Sequence, residues 1–113
     1  MLPAANRMRR SRDFDQVLRA SARVRRGAVV VQYHPRLRPP SAAPLVGLVV
    51  GKAVGGSVIR HQVSRKLRAQ LSARLTGLAP GSGTVVRALP PSATASSADL
   101  GADLDAALRR VVQ

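Results

Sequence analysis

The chain has no cysteine and no tryptophan, and only one tyrosine and one phenylalanine in 113 residues. Without cysteine it can build neither a disulfide framework nor a thiolate metal site, which fits a reducing cytosol. Two aromatic rings do not make the stacking platform on which an RNA-recognition sheet lays successive bases. Glutamate is absent too, so all five acidic residues are aspartates, set against 19 basic residues. No apolar run approaches the roughly 20 residues a membrane span needs. The opening MLPAANRMRRSRDF lacks the apolar stretch of a secretory signal. No membrane partner is expected, and the cytoplasm is the expected compartment.

What the chain has in excess is positive charge. A formal net charge of +14 and a pI near 12.0 call for a polyanionic partner. Nearly all of the basic residues are arginine, which suits bidentate phosphate contacts, although the Arg, Ala, Gly and Pro excess also fits a G+C-rich coding sequence. The 45% hydrophobic content is that of a globular protein, enough for one domain over residues 1–113. Its first ten residues read as a basic arm, expected to be flexible.

In order, Ser11 to Ala20 has helical spacing of Phe14, Val17 and Leu18, with Ser11 as N-cap and Asp13 in the first turn. Arg23, Arg25 and Arg26 alternate loosely with Ala22 and Val24, as on an edge strand. AVVVQYHP is a β-branched strand stopped by Pro35, and LRPPSAAP is an exposed, proline-rich hairpin loop. Leu45 to Val50 is a strand apolar enough to be covered on both faces. A glycine turn and a helix ending before Gly77, a C′ residue, come next. TVVRALP is a further strand. A last helix from Ala98 to Val112 buries Leu100, Leu104, Ala107, Leu108 and Val111. The expected class is α+β, a mostly antiparallel sheet with one β-α-β unit and one face left partly open.

The organising stretch is Gly51 to Leu71, GKAVGGSVIRHQVSRKLRAQL, which contains no acidic residue. At about 100° per residue, Ile59, Val63 and Leu67 share one side of the helix. His61, Arg65 and Arg68 share the other, with Ser64 and Ser72 beside them. Arg60 lies near the helix start, where free backbone N–H groups favour an anion. One face packs and the other meets phosphate; for such a helix in isolation, a solvated basic face is the plainer reading.

Catalytic constellations are missing from the pattern. GLVVGKA is not a P-loop: its glycines are too close together, and Ala53 stands where a magnesium-binding Ser or Thr belongs. His34 and His61 are too far apart for a local zinc motif. Asp13 and Asp15 read as helix-start residues. No metal site and no nucleophile–base pair is expected in this chain.

In this setting NRMRRSRDFDQVLR, the β-branched strand, VGLVVGKAVGGSVIRHQVSRKLR and VVRALP together resemble the bacterial ribonuclease P protein component, from Asn6 to about Val112. The family commonly reads Arg-Asn-Arg where this chain has Arg60-His61-Gln62. Ser64 replaces a common basic residue, Gly56 stands where Asn is usual, and the aromatics are fewer. The resemblance implies an αβββαβα fold like the second domain of ribosomal protein S5, with a left-handed β-α-β crossover against the general right-handed rule. It implies that a partner RNA is the catalyst, removing the 5′ leader of precursor tRNA with magnesium. By the same resemblance, Lys52, Gly55, Arg60, His61, Arg65, Lys66 and Arg68 meet the catalytic RNA, and Phe14, Tyr33, Arg9, Arg10 and Arg12 meet the leader. Core packing is the other reading of Phe14. A ribosomal or ribosome-associated RNA-binding protein of related fold is the alternative function, and a small basic DNA-binding protein a more distant one.

Overall fold

The computed structural model describes residues 2–20 and 22–112. Its elements run α1 (Ser11–Leu18), β1 (Ala22–Arg26), β2 (Val29–His34), β3 (Leu45–Val49), α2 (Ser57–Ser72), β4 (Gly83–Ala88) and α3 (Ser97–Val111). Short 3-10 turns occupy Ala4–Asn6, Leu75–Gly77 and Pro90–Ala93. This is the αβββαβα order of an α+β fold. The sheet order is β1-β2-β4-β3, with β1–β2 and β2–β4 antiparallel and β3–β4 parallel. Helix α2 makes the connection between the two parallel strands.

The strand order corrects two sequence expectations. Residues 35–44 are not a hairpin loop, because β4 inserts between β2 and β3. Ten residues easily cross the two strand spacings, about 10 Å in all. The crossing is tied down: the Arg38 N–H donates to the Gly81 carbonyl (2.8 Å) and the Gly81 N–H to the Ala42 carbonyl (2.7 Å). Strand β3 is then at the sheet's edge: Leu45 and Val46 are covered on opposite faces as expected, but Leu48 and Val49 are only half-buried.

That edge is occupied by the segment expected to be a flexible arm. Arg7 bridges Val46 in parallel, the Met8 N–H donates to the Val46 carbonyl (2.8 Å), and Asn6 Nδ2 donates to the Pro44 carbonyl (2.9 Å). Leu2, at 2% exposure, sits in the core. A chain laid along an open edge satisfies its unpaired backbone groups and removes a pairing hazard. The other edge, β1, carries Arg23, Arg25 and Arg26 instead.

Two apolar clusters sandwich the sheet. On one face α2 and α3 bring Val63, Leu67, Leu71, Leu100, Leu104 and Leu108 onto Val29, Val31, Val46 and Val86. On the other face α1 brings Val17, with Phe14 and Leu18, onto Leu45, Met8 and Val85. Cap chemistry differs between the helices. Ser11 is the first residue of α1, not its cap; the cap is Arg10, with no side-chain hydrogen bond. In α3 the cap is Ser96, whose hydroxyl accepts the Asp99 N–H (3.0 Å). Helix α2 ends at Ser72 with Ala73 as C-cap, so Gly77 closes a later 3-10 turn instead of the helix.

Candidate nucleic-acid interface

Helix α2 rests on Val63, Leu67 and Leu71, each at most 1% exposed. Ile59, expected on this stripe, is 39% exposed, and Val58 is 70% exposed. Once Leu71 joins the stripe its centre lies at Leu67. Ile59 then lies about 80° from that centre and Arg60 only about 20°. Arg60 is accordingly half-buried, and its Nε is shielded from solvent without a hydrogen-bond partner among the described residues. His61 and Arg65 are exposed and Arg68 half-buried on the outward side. Lys66 is turned to the protein: its Nζ donates to the Ala95 carbonyl (3.1 Å).

The approach to α2 is built for an anion. Gly56 caps the helix with no side-chain bond, and the first turn holds no acidic residue, so its N–H groups face outward with the positive end of the helix dipole. The Gly55 N–H donates to the Lys52 carbonyl (3.2 Å), closing the turn that displays the exposed Lys52. Gly55 has φ +154°, and a Cβ there would stand 3.0 Å from Ile59 Cγ2. Beside this face, Arg7 joins Gln62, Arg65, Lys66, Arg68 and Ser97 around a hollow of about 500 Å³. Sequence reasoning did not assign Arg7 to this surface; its side chain is delivered by the pairing of the N-terminal segment with β3.

On the other side of the sheet the expected partners Phe14 and Tyr33 do not meet. Tyr33, 4% exposed, shares its face with Val29 and Val31 and belongs to the α2–α3 core. Phe14 lies on the α1 side, half-buried against Gly47, where a Cβ would stand 2.5 Å from ring atom Cε1. The α1 side of β2 is formed by Val30, Gln32 and His34. Register places Arg25, Val30, Arg87 and Val49 in one row across the sheet, and Arg23, Gln32, Val85 and Gly47 in the next. Helix α1 crosses the second row, where Gln32 Nε2 donates to the Leu18 carbonyl (3.1 Å). The first row lies beside it as a strip on which Arg25 and Arg87 stand exposed on either side of Val30, itself only 3% exposed. Arg9, Arg10 and Arg12 are exposed near the start of α1, with Arg9 and Arg10 lining a hollow of about 410 Å³ that also includes Asp13 and Leu45.

Gly47→Ala is expected to push the Phe14 ring off the strand and cost about 1–3 kcal/mol, the usual range for overpacking. Denaturant unfolding checks this, and adding Phe14→Ala should cancel the steric part of the loss.

Among the described residues the only ion pair joins Arg74 Nε and Asp105 Oδ1 (2.6 Å). The Arg74 hydrogen bond, with the charges of Arg74 and Arg109, holds the Asp105 carboxyl below its ordinary value. A lowered value means stability contributed above the ordinary carboxylate range and lost as pH falls through the lowered one. The pair is half-exposed and is worth no more than about 1 kcal/mol. Asp105→Asn should therefore lower the melting temperature slightly at neutral pH, and the difference should vanish in acid.

With its other cations unpaired, and no group of three or more His, Asp or Glu placed to hold a metal among the described residues, the fold and surface define a basic α+β RNA-binding domain. A family model described as ribonuclease P matches residues 2–112. The chain is 52% identical over 108 residues to the ribonuclease P protein component of Beutenbergia cavernae, covering 96% of this chain and 89% of the relative. It is 49% identical over 113 residues to that of Mycobacterium avium, covering 98% and 95%. The fold matches the Staphylococcus aureus RNase P protein with TM-score 0.81 at 19% identity, covering 96% of this chain and 99% of that one. The Thermotoga maritima RNase P protein matches with TM-score 0.76 at 19% identity, covering 93% and 96%. The chain belongs to the ribonuclease P protein family: it is the protein subunit of a tRNA-processing endoribonuclease whose other component is ribonuclease P RNA. No helix among the described residues is long and apolar enough to cross a membrane.

Proposed function

We propose that this subunit uses its two basic surfaces for two RNAs. The outward side of α2, with Arg65, Arg68, His61, the Lys52–Gly55 turn and Arg7, seats the chain on ribonuclease P RNA. The strip beside α1, with Arg25, Arg87 and the edge of Phe14, holds the 5′ leader of precursor tRNA, with Arg23 exposed at the neighbouring row's end, and Arg9, Arg10 and Arg12 add backbone contacts. Tyr33, closed into the core, is left out of the leader surface. The observation that carries this reading is the placement of the two basic groups on opposite sides of one sheet. Sparse aromatics favour phosphate contact over base stacking, and hence tolerance of leader sequence.

The cut itself belongs to the RNA. In this proposal magnesium serves the assembled complex.

The test is activation. Adding the protein to ribonuclease P RNA at low magnesium should raise site-specific cleavage of precursor tRNA, with a larger gain for a long leader than for a minimal one. Equal gain on both substrates would remove the leader from the proposal. Cleavage by rigorously RNA-free protein would reverse the assignment of chemistry.

A further inference from the structure

Lys66 and Gln70, one turn apart on α2, and Arg74, just past its C-cap, are committed to α3 and the loop before it. Lys66 Nζ donates to the Ala95 carbonyl (3.1 Å), Gln70 Nε2 donates to Ser97 Oγ (2.8 Å), and Arg74 Nε and Nη2 donate to the two Asp105 carboxylate oxygens (2.6 and 3.1 Å). Arg74 Nη1 reaches back to both the carbonyl (2.8 Å) and side-chain oxygen (2.7 Å) of Gln70, linking two of the ties. Gly101 lies buried under this line. A methyl built there would stand 2.6 Å from Gln70 Oε1 and 3.0 Å from Arg74 Nη2. With no side chain there, Gly101 leaves room for the ends of Gln70 and Arg74 to make these bonds; a methyl would displace them from their partners.

The apolar part of the contact is made by valine and leucine. Apolar burial is non-directional and by itself singles out no one rotation. Hydrogen bonds are directional and lose their value on a similar shift. Two ties one turn apart on α2, about 6 Å of helix, and a third from Arg74 just past its C-cap bear on both the rotation and the axial position of α2. Arg65 and Arg68 ride on the same rigid cylinder, so the direction in which they face outward is set from the opposite side.

We infer that the Lys66–Gln70–Arg74 seam, closed over Gly101, is a positioning device that holds α2 at the one rotation in which Arg65 and Arg68 meet the phosphates of ribonuclease P RNA together. This rests on the assignment of α2 to that RNA. Gly101 and Gln70 are positioning residues: they touch no RNA, and their effect is carried by the arginines.

The test compares Gly101→Ala, Gln70→Ala, their double variant and Arg65→Ala/Arg68→Ala, each measured at a temperature where it is fully folded. Gly101→Ala should weaken binding of ribonuclease P RNA about tenfold, the scale on which a displacement below 1 Å is felt. Its log–log salt slope should become shallower, as expected when phosphate contacts are lost. A purely structural role would lower the melting temperature and leave the affinity and salt slope of the folded protein unchanged. Gln70→Ala removes a tie without adding bulk and should cost about threefold. The double variant should be little worse than Gln70→Ala alone, because the nearest atom the methyl strikes is then gone and the end of Arg74, at 3.0 Å, is free to swing aside. Wild-type affinity in Gly101→Ala, with Arg65→Ala/Arg68→Ala impaired, would overturn the seam and spare the assignment of α2. Full binding by Arg65→Ala/Arg68→Ala would overturn that assignment itself. If Gly101→Ala fails to fold, Gln70→Ala decides: wild-type affinity and salt slope there would overturn the inference.

Discussion

Replacing Arg65 and Arg68 together by alanine is expected to weaken binding of ribonuclease P RNA by about a hundredfold or more, with the melting temperature nearly unchanged. The size follows from chemistry. A hydrogen bond to a charged group is worth about 1.5–3 kcal/mol, so losing two costs at least about 3 kcal/mol. The sparing of stability follows from position. Arg65 is exposed and Arg68 half-buried, on the side of α2 away from Val63, Leu67 and Leu71, and neither belongs to the seam with α3. Each lost phosphate contact should also make the salt dependence shallower by about one unit. Arg60→Ala is a useful contrast. With its Nε shielded near the apolar stripe, it should cost stability as well as affinity.

The second large effect is expected on the other face. Arg25→Ala with Arg87→Ala should weaken binding of a long-leader precursor to the assembled enzyme by about tenfold to a hundredfold, on the same reasoning about charge-assisted contacts. Binding of a substrate with a minimal leader should change little, because the two arginines flank Val30 on the strip that helix α1 leaves open. Tyr33→Ala should behave differently from either. Emptying a buried aromatic site costs about 3–5 kcal/mol, so it should damage the fold before it touches leader recognition.

Much of this architecture was legible in the sequence, and the parts that were not share a cause. The helices are readable because Phe14, Val17 and Leu18, or Leu100, Leu104 and Leu108, recur at helical spacing. The strand Val29–His34 is recognisable by its β-branched residues, but not its faces: AVVVQY has no alternation, so nothing local says that Gln32 looks toward α1 and Tyr33 toward α3. Only pairing with Arg25 and Arg87 on either side resolves it. The same uniform apolarity concealed that Leu45–Val49 is an edge. The docking of Leu2 through Met8 depends on an open strand contributed by residues some forty positions away, and a short arginine-rich segment carries no sign of it. The nearness of Arg60 to the apolar stripe was hidden for a simpler reason. Taking Ile59 rather than Leu71 into the apolar stripe rotates the inferred outward face by tens of degrees. The family resemblance was readable because strand, glycine turn and basic helix occur in order, a pattern that survives the change from Arg-Asn-Arg to Arg60-His61-Gln62.

That the two sides of the sheet serve different RNAs is most directly tested by proximity in the working complex. The chain has no cysteine, so a single one introduced at a chosen position carries a photo-cross-linker without background. One probe belongs at His61, on the outward side of α2, and the other at Arg23, exposed on the α1 side of the sheet. In the complete assembly of protein, ribonuclease P RNA and long-leader precursor, the His61→Cys probe should capture ribonuclease P RNA, and the Arg23→Cys probe should capture the leader. Capture of the leader from position 61 and of ribonuclease P RNA from position 23, or of the same RNA from both, would contradict the division of the surface.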